Sequence, residues 1–324
     1  MKKHVRKIML MSTLVAGVAT VASCAKNETY ITYKQPEETK LVTFGNAPQK
    51  LVEDKTLLAK LADENTVYDE ETLTTVVDNK VYYKLESATP LTEIAKSDSG
   101  NTTFATKETY YFEVEPVKWR ILAEEDNNYV LMSEKIISAG SIYKGDVVAN
   151  QEAEANSAKS FTQSTAKGSQ NRILKELVEN TKFFDSTKLT SYSVTEGYIL
   201  QNKKTDKFGT YKEETKNVTY CAASKDDVTN TAYGFSSSSD ADSNRIALTT
   251  DYARAVGAWT AVNDQIKGYG VYATRTLTFN AENNWYSGFT YVVDEQGRVK
   301  LDYAANKYLG IRPVIKVAKT NVNA

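Results

Sequence analysis

Few side chains in this 324-residue chain could act as nucleophiles, proton shuttles or soft metal ligands. There is one histidine, His4, and there are two cysteines, Cys24 and Cys221. His4 lies in a segment laid out as a processed leader, so the mature chain is expected to hold no histidine. That removes Ser–His–Asp and Cys–His catalysis, zinc sites built on His or Cys, and an internal disulfide framework. Carboxylates, hydroxyls, amides and basic groups remain. Glu113 and Glu115 are two apart on a strand-like run and share a face, but nothing else of a two-carboxylate glycosidase accompanies them. Asp226, Asp227, Asp240, Asp242 and Asn244 carry the oxygen atoms calcium favours, without EF-hand spacing, and read as a solvated loop. No metal, no cofactor and no catalysis is expected.

Arginines and aromatic residues are the more informative types. Arg120, Arg172, Arg275 and Arg312 stand beside apolar strand or helix residues, where a guanidinium needs a carboxylate or carbonyl partner. Glu115 and Asp251 are the expected partners. Trp119, Arg120, Arg172, Asp251 and Arg312 read as a structural set that pins loops to sheet. Tyrosine is abundant, at 21 residues, and Trp259, Tyr269, Tyr272, Trp285, Tyr286 and Tyr291 gather in the last third. Aromatic side chains on exposed loops suit stacking on a sugar or a protein partner. Tyr269, Tyr272, Arg275, Trp285 and Tyr286 are therefore the expected ligand-binding residues, on a surface formed by Gly268–Gly288 and the loop Ser224–Asn244.

These residues need elements to place them. Leu51, Val52, Leu57, Leu58 and Leu61 sit at helical spacing and predict a helix over Lys50–Asp63. Val76–Tyr83 reads as two strands around a turn. Tyr110–Val114 and Val117–Leu122 read as strands broken at Pro116, with Tyr129–Met132 returning after a turn. Ser169 is placed to cap a second helix, and a third begins near Asp251. Phe289–Val293 and Arg298–Tyr303 flank the turn Asp294–Gly297, and Tyr308–Val317 is the closing strand. Long polar stretches separate them: Glu86–Lys107, Lys144–Gly168, Gln201–Lys216 and Ser224–Asn244. The expected fold is a single α+β domain over 41–319, with a mixed, mostly antiparallel sheet, two to three helices and long loops, and a short tail at 320–324.

The N-terminal residues address location. Lys2, Lys3, Arg6 and Lys7 precede an apolar run from Ile8 to Val21, which is too short for a stable membrane span. Val21-Ala22-Ser23-Cys24 resembles the bacterial lipobox, in which cleavage leaves a cysteine that carries acyl chains. Residues 1–23 are thus expected to be removed, Cys24 to be the lipid anchor at the membrane, and 24–40 to form a polar tether. Loss of the leader lowers the basic count from 40 to 36 against 41 acidic residues, a formal charge of −5. No basic stripe survives, which excludes nucleic acid as the expected partner. Cys221 is expected to be a small buried residue.

The ordered motifs carry a further resemblance. Phe44-Gly45-Asn46-Ala47-Pro48-Gln49, Tyr111–Leu122, Leu131-Met132-Ser133, Ser169-Gln170-Asn171-Arg172, Thr250–Ala255 and Gly310–Ile315 together resemble the bacterial domain-of-unknown-function family numbered 6273, found in surface proteins and lipoproteins. The resemblance covers about Leu41 to Val317 and implies a C-type-lectin or formylglycine-generating-enzyme type of fold. The family supplies no catalytic residues. Where it usually carries a Trp-Leu-Arg-Ser-Pro-like motif, this chain has Tyr272-Ala273-Thr274-Arg275-Thr276, which keeps the arginine and loses the tryptophan and proline. The aromatic cluster and the scarcity of histidine and cysteine make a surface binding or adhesion module for glycan or protein the expected function. An extracytoplasmic enzyme of the formylglycine-generating type would need two thiolates for its copper, and one Cys221 cannot supply them. A solute-binding lipoprotein would need two repeated α/β halves, which the pattern lacks.

Overall fold

The computed structural model describes residues 30–91, 95–142, 160–164, 166–180, 183–200, 210–278 and 289–323. In chain order, β1 (Leu41–Leu51) leads into α1 (Lys55–Ala62), the hairpin β2 (Thr74–Val77) and β3 (Lys80–Leu85), then β4 (Tyr110–Glu125), β5 (Asn128–Ser133) and β6 (Ser138–Ala139). α2 (Gln170–Glu179) precedes a second hairpin, β7 (Tyr192–Leu200) and β8 (Thr210–Val218), followed by β9 (Tyr220–Ala222) and α3 (Lys225–Val228). The last third contains β10 (Ala247–Leu248), α4 (Asp251–Ala255), β11 (Tyr269–Gly270), β12 (Tyr272–Thr278), β13 (Phe289–Val293), β14 (Val299–Tyr303), β15 (Gly310–Ile311) and β16 (Pro313–Ala318).

Two larger sheets result, together with two short ribbons. One sheet of seven strands runs β2-β3-β4-β5-β16-β9, with β1 also on β4; the other, of five strands, runs β14-β13-β12-β15-β6. Every pairing is antiparallel except β12 with β15. With four short α-helices among the described residues, this is an α+β architecture dominated by antiparallel sheet. β4 is the spine. Phe112 pairs with both Leu51 and Tyr83, and Trp119 with both Val42 and Ser133, so β1 holds one edge while β3 and β5 share the other.

Period-2 alternation gives the large sheet two buried faces. On β16, Val314 joins the main core with Met132, Tyr272, Leu277 and Ile311, whereas its neighbour Ile315 joins Trp119, Leu131, Phe183 and Phe184 on the opposite face. The Trp119 indole N–H donates to Phe44 O at 2.7 Å, so the largest buried side chain satisfies its one donor.

Several elements depart from expectation for physical reasons. The helix expected from Lys50 starts at Lys55 because Leu51 and Val52 are consumed by strand pairing, and Asp54 then caps the helix by accepting from Leu57 N. β4 is not broken at Pro116. The partner strand bulges between Thr43 and Asn46, where Gly45 adopts φ +63°, and Gln49 Nε2 donates to Glu115 O and Pro116 O in place of ladder bonds. Thr210–Val218, read as loop, is the second strand of a ribbon whose alternation is masked by Lys and Glu on both faces. Ser169 caps α2 as expected, the third helix starts at Asp251 with Thr250 as its cap, and the Asp78-Asn79 turn has both residues at positive φ, the geometry of a two-residue hairpin.

Both chain ends pack further than expected. Tyr30, Ile31 and Tyr33, assigned to the tether, pack on Ile246, Ala261, Ile266 and Tyr269. Ile31 N donates to Gln296 Oε1, Tyr33 N to the Tyr269 hydroxyl, and Lys34 N to Ser243 O. At the other end Asn323, assigned to the tail, exchanges two backbone bonds with Thr43. The folded unit among the described residues therefore begins at Tyr30 and ends at Asn323. Cys24 lies outside the described residues.

Candidate functional site

Two of the chain's crossings between the large sheets, from β5 to β6 and from β15 to β16, are direct, and each carries a charged residue. Glu134 follows β5 of the seven-stranded sheet and leads to β6 of the other. Arg312 stands between β15 and β16. Burial of unpaired charge is costly, so these crossings must be mutually compensated. Arg120, on β4, donates Nε to Glu134 Oε2 at 3.1 Å and Nη2 to Oε1 at 3.2 Å, a two-pronged pair, and Nη1 to Asn244 O at 2.5 Å. Arg312 is fully buried. It donates Nε to Ser133 O at 2.7 Å and Nη1 to the Tyr272 hydroxyl at 3.1 Å, with Nη2 at 3.9 Å from Glu134 Oε2. The Tyr272 hydroxyl donates to Arg245 O. Tyr33 closes the cluster by donating its hydroxyl to Glu134. Burial first, and then the Glu134 carboxylate, push the Tyr33 phenol well above its ordinary range, so it stays a donor.

This cluster corrects the sequence-level expectations in both directions. Trp119, Arg120 and Arg312 are structural, as expected, but the carboxylate that serves them is Glu134 rather than Glu115 or Asp251. Asp251 instead pins chain: its carboxylate accepts from Leu51 N at 3.0 Å and Asp98 N at 2.6 Å, fastening the end of β1 to α4. Arg172 belongs to neither group. It is half exposed on α2 and pairs with Glu176 one turn away. Tyr269 and Tyr272, expected on a ligand surface, are buried, and their hydroxyls serve Tyr33 N, Arg245 O and Arg312. Trp285 and Tyr286 lie outside the described residues. Two carboxylates of the acidic loop 224–244 are engaged by the protein itself, while Asp226 and Asp240 are exposed. Asp227 completes a capping box on α3, and Asp242 accepts from Ser236 N, Asn244 N and the fully buried Arg245, which also donates to Ser238 O at 2.6 Å. Among the described residues no group of three or more potential metal ligands is assembled.

Arg275 is the expected ligand residue that does reach a cavity. β12 carries it to the wall of a 340 Å³ pocket with Asp227, Tyr192, Tyr233 and Lys316. Its Nη1 donates to Asp227 Oδ2 at 2.9 Å and to Ala222 O at 2.8 Å, while its buried Nε has no partner. Behind it, Cys221 is fully buried against the Tyr192 hydroxyl at 3.0 Å. Burial pushes this thiol up to about 11 although Arg275 pulls the other way, so it is an unreactive thiol at neutral pH. A second cavity of 720 Å³ adjoins the first, sharing Leu122 and Tyr233 as walls. Its far side is built by Lys34, Glu37 and Lys40 of the docked N-terminal segment and by β4. Together they form one groove, floored by the end of β4 and overhung by Tyr233. Two of its acids are tied to bases: Glu125 to Lys316 at 2.6 Å and Glu124 to Lys319 at 2.6 Å.

Sequence reasoning missed Glu134, Arg245 and Tyr33. The first two had a faint signal, a lone charge beside an apolar run (Leu131–Ser133 and Ile246–Leu248). Tyr33 had none, since it sits in a polar stretch with no periodicity. No protein-family model, no curated protein and no solved structure matches this chain.

Proposed function

We propose that this chain is a membrane-anchored surface lipoprotein of the kind the family-6273 resemblance implies. Its domain, of C-type-lectin-like architecture, binds a glycan or protein without catalysis. One observation carries the reading: the groove brings the loop 224–244, through Asp227 and Tyr233, against Arg275 of the segment 268–288, the pairing of segments expected to form the ligand surface. A trough of two joined cavities, with an aromatic overhang and hydrogen-bonding walls, suits an extended polar chain. Asp227, Glu124 and Glu125 are paired with bases and the neighbouring thiol is protonated, which favours recognition over proton transfer. Exported, acylated at Cys24 and held at the extracytoplasmic face, the domain would meet such chains at the cell surface.

Two measurements test this. Cys24→Ala should abolish acylation and release the protein from the membrane fraction; a C24A protein still acylated and anchored would sink the anchor. A glycan array and a surface-protein pull-down should yield a ligand whose affinity falls on the order of tenfold in Tyr233→Ala. Binding to neither class, or binding indifferent to that substitution, counts against the groove.

A further inference from the structure

A third cavity, of 420 Å³, lies apart from the groove and is lined by Leu91, Lys96, Arg254, Trp259, Val262 and Lys267, with Asp264 on its rim. Leu91 and Val262 are 40% and 58% exposed, two of the few large apolar residues the described surface leaves in water. Trp259 is half-buried beside them. Arg254 at the base is held by Thr249 and Asp98. Lys96 and Lys267 are exposed, and their ammonium groups have no ion-pair partner among the described residues. An apolar lip, an amphipathic indole and two free ammonium groups form the pattern of a surface that rests in a lipid headgroup layer.

The placement of the N-terminal segment says which layer. Tyr30 and Ile31 pack on the apolar cluster that contains Trp259 and Ala261, and the same two residues line this cavity. Cys24 precedes Tyr30 by six residues, which reach at most about 21 Å even when fully extended. An anchor there keeps the cavity's loop close enough to touch the bilayer surface, where headgroup charge acts over a Debye length of about 8–10 Å. The mature chain is net negative, so an anionic leaflet repels most of its surface and attracts this patch. Resting on the lipoprotein reading above, we infer that the Trp259 cavity is a membrane-facing site for the phosphate headgroup of an anionic phospholipid, with Lys96 and Lys267 as its counter-charges and Val262 and Leu91 as its lip. It fixes the orientation of the anchored domain and leaves the groove to its own ligand.

The test uses the full acylated protein carrying Trp285→Phe, in which Trp259 reports, because Trp119 is buried in the core. It is reconstituted in phosphatidylcholine vesicles with brominated acyl chains, with or without phosphatidylglycerol. Quenching of Trp259 should appear with phosphatidylglycerol and recede in high salt. Each lysine near the surface contributes roughly fivefold to partition, so Lys96→Glu with Lys267→Glu should return quenching to that in neutral vesicles. Equal quenching in both vesicle types, or quenching unchanged by the double substitution, overturns the headgroup site while the protein stays anchored. A protein that carries no acyl group by mass and floats with neither vesicle overturns the anchor itself, a distinct result.

Discussion

The junction around Glu134 and the rim around Trp259 use similar side chains to opposite ends. At the junction, Arg120 and Arg312 are buried, Glu134 answers them, and carbonyls from Ser133, Asn244 and Arg245 absorb most of the remaining donors. At the rim, Lys96 and Lys267 are exposed and have no ion-pair partner among the described residues. A cluster whose charges are answered from within, with only Arg312 Nη2 left without a hydrogen bond, offers little to a ligand and serves to fix two sheets in one relative pose. An unsaturated one costs little in water and keeps its charge for something outside. Arginine in a motif is therefore a poor guide to a binding site until its partners have been counted.

Three substitutions would break or sharpen that contrast. Glu134→Ala leaves two buried guanidinium groups without their carboxylate and should cost about 3–5 kcal/mol, read as a lower urea midpoint; a loss below about 1 kcal/mol would remove the junction from the architecture. Asp294→Asn tests a satisfied acid in a turn. Burial alone would raise this carboxyl, but Lys300 and the backbone N–H groups of Arg298 and Gln296 outweigh it and hold it below the usual range. A lowered folded-state value stabilises above the unfolded value of about 3.9 and loses that contribution as pH falls through the folded one. The substitution should cost about 1–3 kcal/mol at pH 7, with the gap to wild type closing in acid. Arg172→Ala, the exposed motif arginine, should move stability by less than about 0.5 kcal/mol. A large effect there would mean that the motif arginines act alike after all.

How much of this was legible depends on range. Turns and caps are local, and Asp294–Gly297, Asp78-Asn79, the Ser169 cap and the helix start at Asp251 stand where composition placed them. The antiparallel α+β class followed from hairpin signals of the same kind. Burial of Tyr269 and Tyr272 was not legible, because an aromatic residue looks the same in sequence whether its hydroxyl meets water or a guanidinium. The Arg120–Glu134 pairing depends on strand register, with Trp119 opposite Ser133, and β4 was obscured by a proline that a distant bulge accommodates. Asp227 and Arg275 each lie beside strong local features, the α3 cap and β12, but only the fold brings the two together.

The position of β16 has a consequence for the order in which the chain is made. This last strand lies between β5 and β9, and the residue before it, Arg312, reaches back to Ser133. Neither large sheet is complete until residues near the C-terminus have joined, and contacts such as Ile31 with Gln296 span most of the chain. A polypeptide delivered from its N-terminus thus cannot close its core early, and folding waits on loop closures of high entropic cost. Were the chain exported as proposed, that delay would keep it unfolded until the whole of it had passed.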